Sequence, residues 1–368
     1  MSVTAIRFFL QHCVSGTTCD AMCARCMKVM NVCRFLAYVF LVVAQCASTA
    51  AVQAADRYHK SAPLLHTYVE ITAYGDKRTE SIVGQAFAEM ERINTLLNTY
   101  DPESQISAVN TAAGKCWVPL GPETCSALHE ARKYARLSSG AFDFTVGPLV
   151  ALWGFNRELP GLTGDDPDSE RIAQVLRLVG YQGLELQQDA NGCSARLKHC
   201  GMRIDVGAFS KGFVADRAVA FLRARGVGDA LVAAGGTICA SGTKPGDTPW
   251  QVGVRHPRND STFLTMIPLY DQSVSTSGDY ETFYYRAGRR RSHIIDPRSG
   301  TPVSAMQSVT VIARSGIASD AFATALFVLG PEDGLALIER QKDTEALLVT
   351  AQGSVLYSSG WPQKTIIY

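Results

Sequence analysis

The common nucleotide signatures are missing from this chain of 368 residues. Gly207 to Gly212 lacks the Gly-Lys-Ser/Thr ending of a P-loop, and no GxGxxG follows a predicted strand. Gly235-Gly236 joins two predicted strands instead of opening a helix, which excludes a nicotinamide-type dinucleotide fold. No GxSxG elbow occurs, and Ser241 to Lys244 fits SxxK by letter only, because Gly242 makes it a turn. Charge imbalance is missing too: 35 Lys and Arg against 34 Asp and Glu leave no broad basic field for nucleic acid. The one dense run, Arg286 with Arg289 to Arg291, reads as a solvated face at a hairpin tip. The longest apolar stretch, Phe35 to Ala44, has ten residues where a membrane helix needs about 20. What remains is an ordinary globular composition, 46% hydrophobic and 19% charged, without internal repeats.

Residues 1–54 differ in kind. Lys28 and Arg34 precede the apolar stretch, and small residues follow it down to Val52-Gln53-Ala54, the pattern of a secretory signal cleaved after Ala54. The region before Met27 carries four cysteines and no periodicity, and a start at Met27 or Met30 would give a signal of normal length. Gln45 before Cys46 rules out a lipobox. The expected product is exported, periplasmic or otherwise outside the cytosol, with no transmembrane span. Removal of the leader takes four basic residues and one acidic, leaving 31 against 33. Of 11 cysteines, Cys116, Cys125, Cys193, Cys200 and Cys239 remain. None of these forms a CxxC pair, which argues against zinc. Oxidation is expected to join near neighbours, Cys116 with Cys125 and Cys193 with Cys200.

Periodicity in residues 55–368 predicts α+β architecture in one domain, with about six helices and strands mostly in hairpins. Leu65 to Tyr74 alternates as a strand, and Ile82, Phe87, Met90, Ile93 and Leu97 mark a helix from Glu80 to Asn98. Tyr100 to Asn110 reads as a polar loop, Glu123 to Leu137 as a helix stopped by Gly140, and Gly140 to Trp153 as an apolar loop holding Asp143. A helix over 169–180 and short strands around Asn191-Gly192 follow, with Pro160 to Asp168 the longest linker. Met202 to Val206 reads as a strand, then Ser210 to Arg225 as a helix ended by Gly226. Asp279 to Ile295 reads as a hairpin breaking at Ala287-Gly288, and Asp296 to Gly300 as a type I turn.

Three places could carry chemistry. Lys211 lies in the first turn of its helix, where a cation opposes the macrodipole unless an anion such as a phosphate is also bound. In Ser319 to Gly330, with Ser319 or Asp320 as N-cap, Asp320 and Thr324 are four apart and share a face; hard oxygens of that kind suit Mg²⁺. His293 stands at the exit of a strand. Each has a plain structural reading as well: a snorkelling lysine, a helix cap and a partly buried ring.

Six spaced motifs decide between these readings. The series GAFDFTVGPLVALWGF, DVGAFSKGFVAD, AAGGTICASG, STSGDYE, SHIIDPRSGTP and SDAFATALFVLG resembles the ApbE family of FAD:protein FMN transferases. The resemblance implies Mg²⁺-dependent transfer of FMN from FAD to a Ser or Thr hydroxyl of an exported or membrane-complex acceptor flavoprotein, with AMP released. It maps Mg²⁺ to a backbone carbonyl at Gly207-Ala208, with Ala208 taken as the ligand, and to Asp320 and Thr324. It maps flavin contacts to Tyr100, Ala141, Phe142, Asp143, Asp205, Lys211 and Ile294, and the proton acceptor to His293. Two departures stand out: Leu65-His66-Thr67 replaces a Met-Gly-Thr start, and Ala323 replaces an aspartate that some relatives carry before the metal threonine. Two other activities are compatible with the same motifs, hydrolysis of FAD to FMN and AMP, and a non-catalytic flavin-binding accessory of a redox complex.

Overall fold

Alternating strands build one central antiparallel sheet, seen in a computed structural model that describes residues 55–156, 165–190, 192–286 and 288–362. The expected signal, residues 1–54, and part of the Pro160 to Asp168 linker lie outside the described residues.

Asp56–Leu64 (β1) pairs with Thr67–Gly75 (β2), whose alternation buries Val69, Ile71 and Ala73. The turn between them, Leu65-His66, belongs to a hairpin and not to the strand predicted from residue 65. Thr79–Leu97 (α1) buries Val83, Phe87, Met90, Ile93 and Leu97 along one stripe, as its spacing predicts. The polar segment from Tyr100 to Asn110 is not all loop. Ser104 Oγ accepts the Ser107 N–H at 3.0 Å and starts Gln105–Thr111 (α2), where Ile106 and Val109 are buried. Val118–Leu120 (β3) and Pro122–Leu137 (α3) follow, and the second half of the expected apolar loop is a short helix, Gly147–Leu152 (α4). Ser169–Leu176 (α5) is shorter than predicted, while Leu184–Asp189 (β4) and Gly192–Leu197 (β5) form the expected hairpin and extend to β3.

Met202 to Val206 is not a strand; its one bridge joins Arg203 to Val146. The Asn110 side chain takes both backbone groups of Ile204, donating to its carbonyl at 3.0 Å and accepting its N–H at 2.7 Å, so no ladder is needed. Ser210–Ala224 (α6) ends at Gly226, whose φ of 85° is the left-handed terminator expected there. Next come Asp229–Ala234 (β6), Thr237–Ser241 (β7), Trp250–His256 (β8), Asn259–Leu269 (β9) and Ser273–Gly278 (β10). Phe283–Arg286 (β11) and Arg289–Ser292 (β12) are the predicted hairpin, and Ile295–Asp296 (β13) with Thr301–Pro302 (β14) flank the predicted turn. Met306–Ala313 (β15), Gly316–Leu329 (α7), Pro331–Ile338 (α8), Glu345–Thr350 (β16) and Val355–Tyr357 (β17) complete the chain.

The sheet order is β1-β2-β6-β7-β10-β15-β16-β17. Helices α1, α6 and α7 cover one face, and the β8–β9 hairpin covers the other with Trp250, Val252, Ile267 and Leu269. With both faces covered, every residue of β15 is buried. The class is α+β, as expected.

The cysteine pairing differs from the expectation. Cys125 is bonded to Cys193, while Cys116 and Cys200 are exposed free thiols and Cys239 a buried one. Pairing of Leu120 with Cys193 across β3 and β5 delivers the start of α3 to that strand, so strand partnership overrides nearness in sequence.

Candidate active site

Helices α6 and α7 cross at backbone contact. A Cβ on Gly212 would lie 2.2 Å from the Gly316 carbonyl oxygen, a distance no side chain tolerates, so two glycines are needed where the helices meet. The Asp216 carboxylate locks the crossing by accepting the Gly316 N–H at 2.6 Å and the Ile317 N–H at 3.0 Å. Burial pushes its pKa up to about 6. The sequence reading missed both roles; DVGAFSKGFVAD contains Gly212 and Asp216, but only Lys211 stood out by charge.

The crossing brings Asp320 to the first turn of α6. Helix α7 starts at Gly316, and its cap is Ser315, which accepts the Ala318 N–H; neither Ser319 nor Asp320 is the cap. Asp320 is therefore one turn inside and free to face α6. It is buried, and its Oδ2 accepts the Gly212 N–H at 3.1 Å and lies 3.9 Å from Lys211 Nζ. Lys211 Nζ donates to the Gly207 carbonyl at 2.6 Å, which makes Gly207 the carbonyl facing this group, while Ala208 packs half-buried against the core.

Strand β10 supplies the other wall. Its period of two turns Ser273, Ser275 and Ser277 toward α7, where they reach Ser319 at 3.0 Å, Asp320 at 3.4 Å and Thr324 at 3.4 Å. The alternation in SVSTSG was the overlooked signal. The resulting cluster of carboxylate, hydroxyls and carbonyl consists of hard oxygens, and its chemistry fits Mg²⁺.

His293 follows β12. Its backbone N–H and its Nδ1 both meet the Thr282 carbonyl, at 3.0 and 3.1 Å. A carbonyl only accepts, so Nδ1 carries the proton and Nε2 keeps its lone pair. Burial, opposed by the Thr282 bond and aided by the Lys211 charge, lowers the ring's pKa to about 4, so the imidazole is neutral at pH 7. The hairpin is braced by Tyr284, which donates to the Trp153 carbonyl at 3.1 Å. Its arginines are not a merely solvated face: Arg286 and Arg291 pair with Asp166, and Arg290 pairs with Asp279.

A cavity of about 570 Å³ opens at Lys211 and Gly207, lined also by Leu65, His66, Tyr100, Phe155 and Asp205; His293, Asp320 and Thr324 are not among its lining residues. Tyr100 is largely exposed, and burial of its phenol with nearby Asp205 raises the pKa. Asp205, raised by burial, accepts the Gly207 N–H at 2.8 Å. Ala141, Phe142, Asp143 and Ile294 do not line this cavity; they are buried behind it. Both Asp143 oxygens are occupied, one by the Thr145 N–H and hydroxyl at 2.8 and 2.6 Å, the other by the Tyr181 N–H at 2.8 Å. Burial raises its pKa despite those bonds. The adjacent Phe144 carbonyl accepts the Asp205 N–H at 2.8 Å, so this loop positions Asp205.

Comparison with known proteins identifies the family. The chain is 33% identical over 310 residues to a FAD:protein FMN transferase of Klebsiella pneumoniae (strain 342), covering 83% of this chain and 93% of that protein. A FAD:protein FMN transferase of Treponema pallidum (strain Nichols) is 31% identical over 321 residues, covering 82% and 87%. The crystal structure of the ApbE protein of Thermotoga maritima superposes with a TM-score of 0.76 at 32% identity, covering 83% of this chain and 98% of that one. The flavin transferase ApbE of Vibrio cholerae gives 0.72 at 27% identity, with the same coverage. The family profile matches residues 65–348, and on that span the chain belongs to the ApbE family.

Proposed function

We propose that the chain is a FAD:protein FMN transferase that moves FMN from FAD onto a Ser or Thr hydroxyl of an acceptor flavoprotein and releases AMP. The observation that carries this is the Lys211 ammonium, which lines the cavity and lies 3.9 Å from the carboxylate of a buried oxygen cluster, with a neutral imidazole near enough to feel its charge. Lys211 attracts the diphosphate of FAD and holds it at the start of α6. His293 Nε2 accepts the proton of the acceptor hydroxyl, whose oxygen forms a bond to the FMN phosphorus while the bond from that phosphorus to the AMP oxygen breaks. Nδ1, fixed on Thr282, keeps the ring oriented for that transfer. Asp320 and Thr324, with Ser277 and the carbonyl of the Gly207-Ala208 segment, would hold Mg²⁺. Bound there, the ion supplies Lewis-acid neutralisation of the charge on the departing phosphate.

Export supports an acceptor outside the cytosol. The leader pattern of residues 1–54 and the Cys125–Cys193 disulfide favour an oxidising compartment. The deciding experiment incubates residues 55–368 with FAD, Mg²⁺ and exported flavoprotein subunits. Flavin fluorescence that stays on the denatured acceptor band, with AMP in solution, is the expected result. Free FMN with an unlabelled acceptor would make the chain a hydrolase, and FAD retained without turnover would make it a carrier.

A further inference from the structure

Leu65 and His66 form the whole connection between β1 and β2, where Leu64 pairs with Thr67. Their φ values are 57° and 56°, both in the left-handed region. Two-residue hairpin loops of this geometry are normally filled by Asn and Gly, because a Cβ crowds the following carbonyl. Neither residue is of that kind, so the chain holds two disfavoured conformations in succession at the mouth of the 570 Å³ cavity. Strain of this kind persists where the side chain has a use.

The side chain in question is an imidazole. The His66 ring stands edge-on to Tyr100, with centroids 5.1 Å apart and planes at 75°, and both rings line the cavity that Lys211 and Asp205 also line. Gly235, at φ 58°, accommodates both neighbours: a Cβ there would meet Thr67 Oγ1 at 3.1 Å and Lys211 Cδ at 3.5 Å. The Gly235 N–H also donates to the Tyr68 carbonyl at 3.2 Å. An aromatic corner and a cation that line one cavity match a molecule carrying a planar ring and a phosphate.

We propose that His66 is a binding residue of this chain, forming with Tyr100 an aromatic corner against which one planar ring of FAD packs and so contributing to selection of the dinucleotide. The inference rests on the transferase reading, and the corner could take either the isoalloxazine or the adenine.

The test uses His66→Gly and His66→Phe in the otherwise intact residues 55–368. Glycine relieves the backbone at φ 56° while removing the ring, so its two effects should part company. The Tm of His66→Gly is expected not to fall, while FAD affinity, read by quenching of flavin fluorescence without acceptor, drops about tenfold, the size of a lost ring stack. The loss should show in KM for FAD more than in kcat, and His66→Phe should retain most of the affinity. FMN and AMP titrated separately identify the ring: weakening of FMN assigns the isoalloxazine and weakening of AMP the adenine. Unchanged FAD affinity in His66→Gly, or equal loss in the glycine and phenylalanine variants, overturns the proposal while leaving the transferase intact. A wild-type chain that binds no FAD overturns both.

Discussion

Asp320 reaches the site from a helix in which all residues but Thr324 and Leu329 are buried, whereas His293 stands at the foot of a two-stranded ribbon whose only buried side chain is Ser292. The oxygen cluster is held by bonds across three elements, α6, α7 and β10. The imidazole is held by one carbonyl, that of Thr282. The contrast fits the roles proposed for the two regions. Holding a multiply charged group requires fixed oxygens in a place where solvent cannot compete. Taking a proton from a hydroxyl on another protein requires a group that the other protein can reach.

The contrast can be broken at four points. The largest effect is expected from Asp320→Ala, which strands the Gly212 N–H in a buried place and removes the carboxylate that lies 3.9 Å from Lys211 Nζ. Most of the transfer should be lost and the remainder should no longer depend on Mg²⁺, and stability should fall by about 1–3 kcal/mol on denaturant titration. Unchanged activity in chelator-treated wild type would refute the metal assignment. His293→Ala should reduce transfer by about 10²–10⁴-fold while FAD still binds and the Tm barely moves. Normal turnover by that variant would remove the ring from the mechanism.

Gly212→Ala tests whether the crossing sets the distance from Lys211 to Asp320. The added methyl meets the Gly316 backbone, so a stability loss of about 1–3 kcal/mol is expected, with a fall in transfer that substitution of a remote helix glycine does not produce. The smallest effect is on pH dependence. The folded pKa of His293, about 4, lies below its ordinary 6.5, so between those values the unfolded chain binds more protons than the folded one. The stability this gives is complete above pH 6.5 and is lost as pH falls toward 4. His293→Phe should flatten that part of the denaturation profile. For the same reason, kcat/KM of wild type should hold its value down to about pH 5; an acid limb centred near 6.5 would mean that the ring is not shielded.

The long helices could be read from periodicity because each buries a stripe that recurs every three or four residues, as Val83 to Leu97 does. The β11–β12 hairpin was equally legible, since aromatic alternation and Gly288 mark it locally. Short elements were not. Helix α2 depends on one cap and two apolar residues, and the supposed strand at Met202 to Val206 was undone by a single distant side chain, Asn110. In the site, Lys211, His293, Asp320 and Thr324 stood out by chemical type. Ser277 and Asp216 did not, because a serine in a strand and an acid in a helix carry no signal until their partners are known.

Residue order alone determined the α+β class, the family and the letters of the site, because these depend on local periodicity and on motifs contiguous in the chain. Tertiary structure decided which groups meet: Cys125 with Cys193, Asp216 with the start of α7, and Lys211 with Asp320. The reason is that a strand ladder and a glycine crossing set distances between residues tens to a hundred positions apart. No pattern confined to neighbouring residues encodes such a distance.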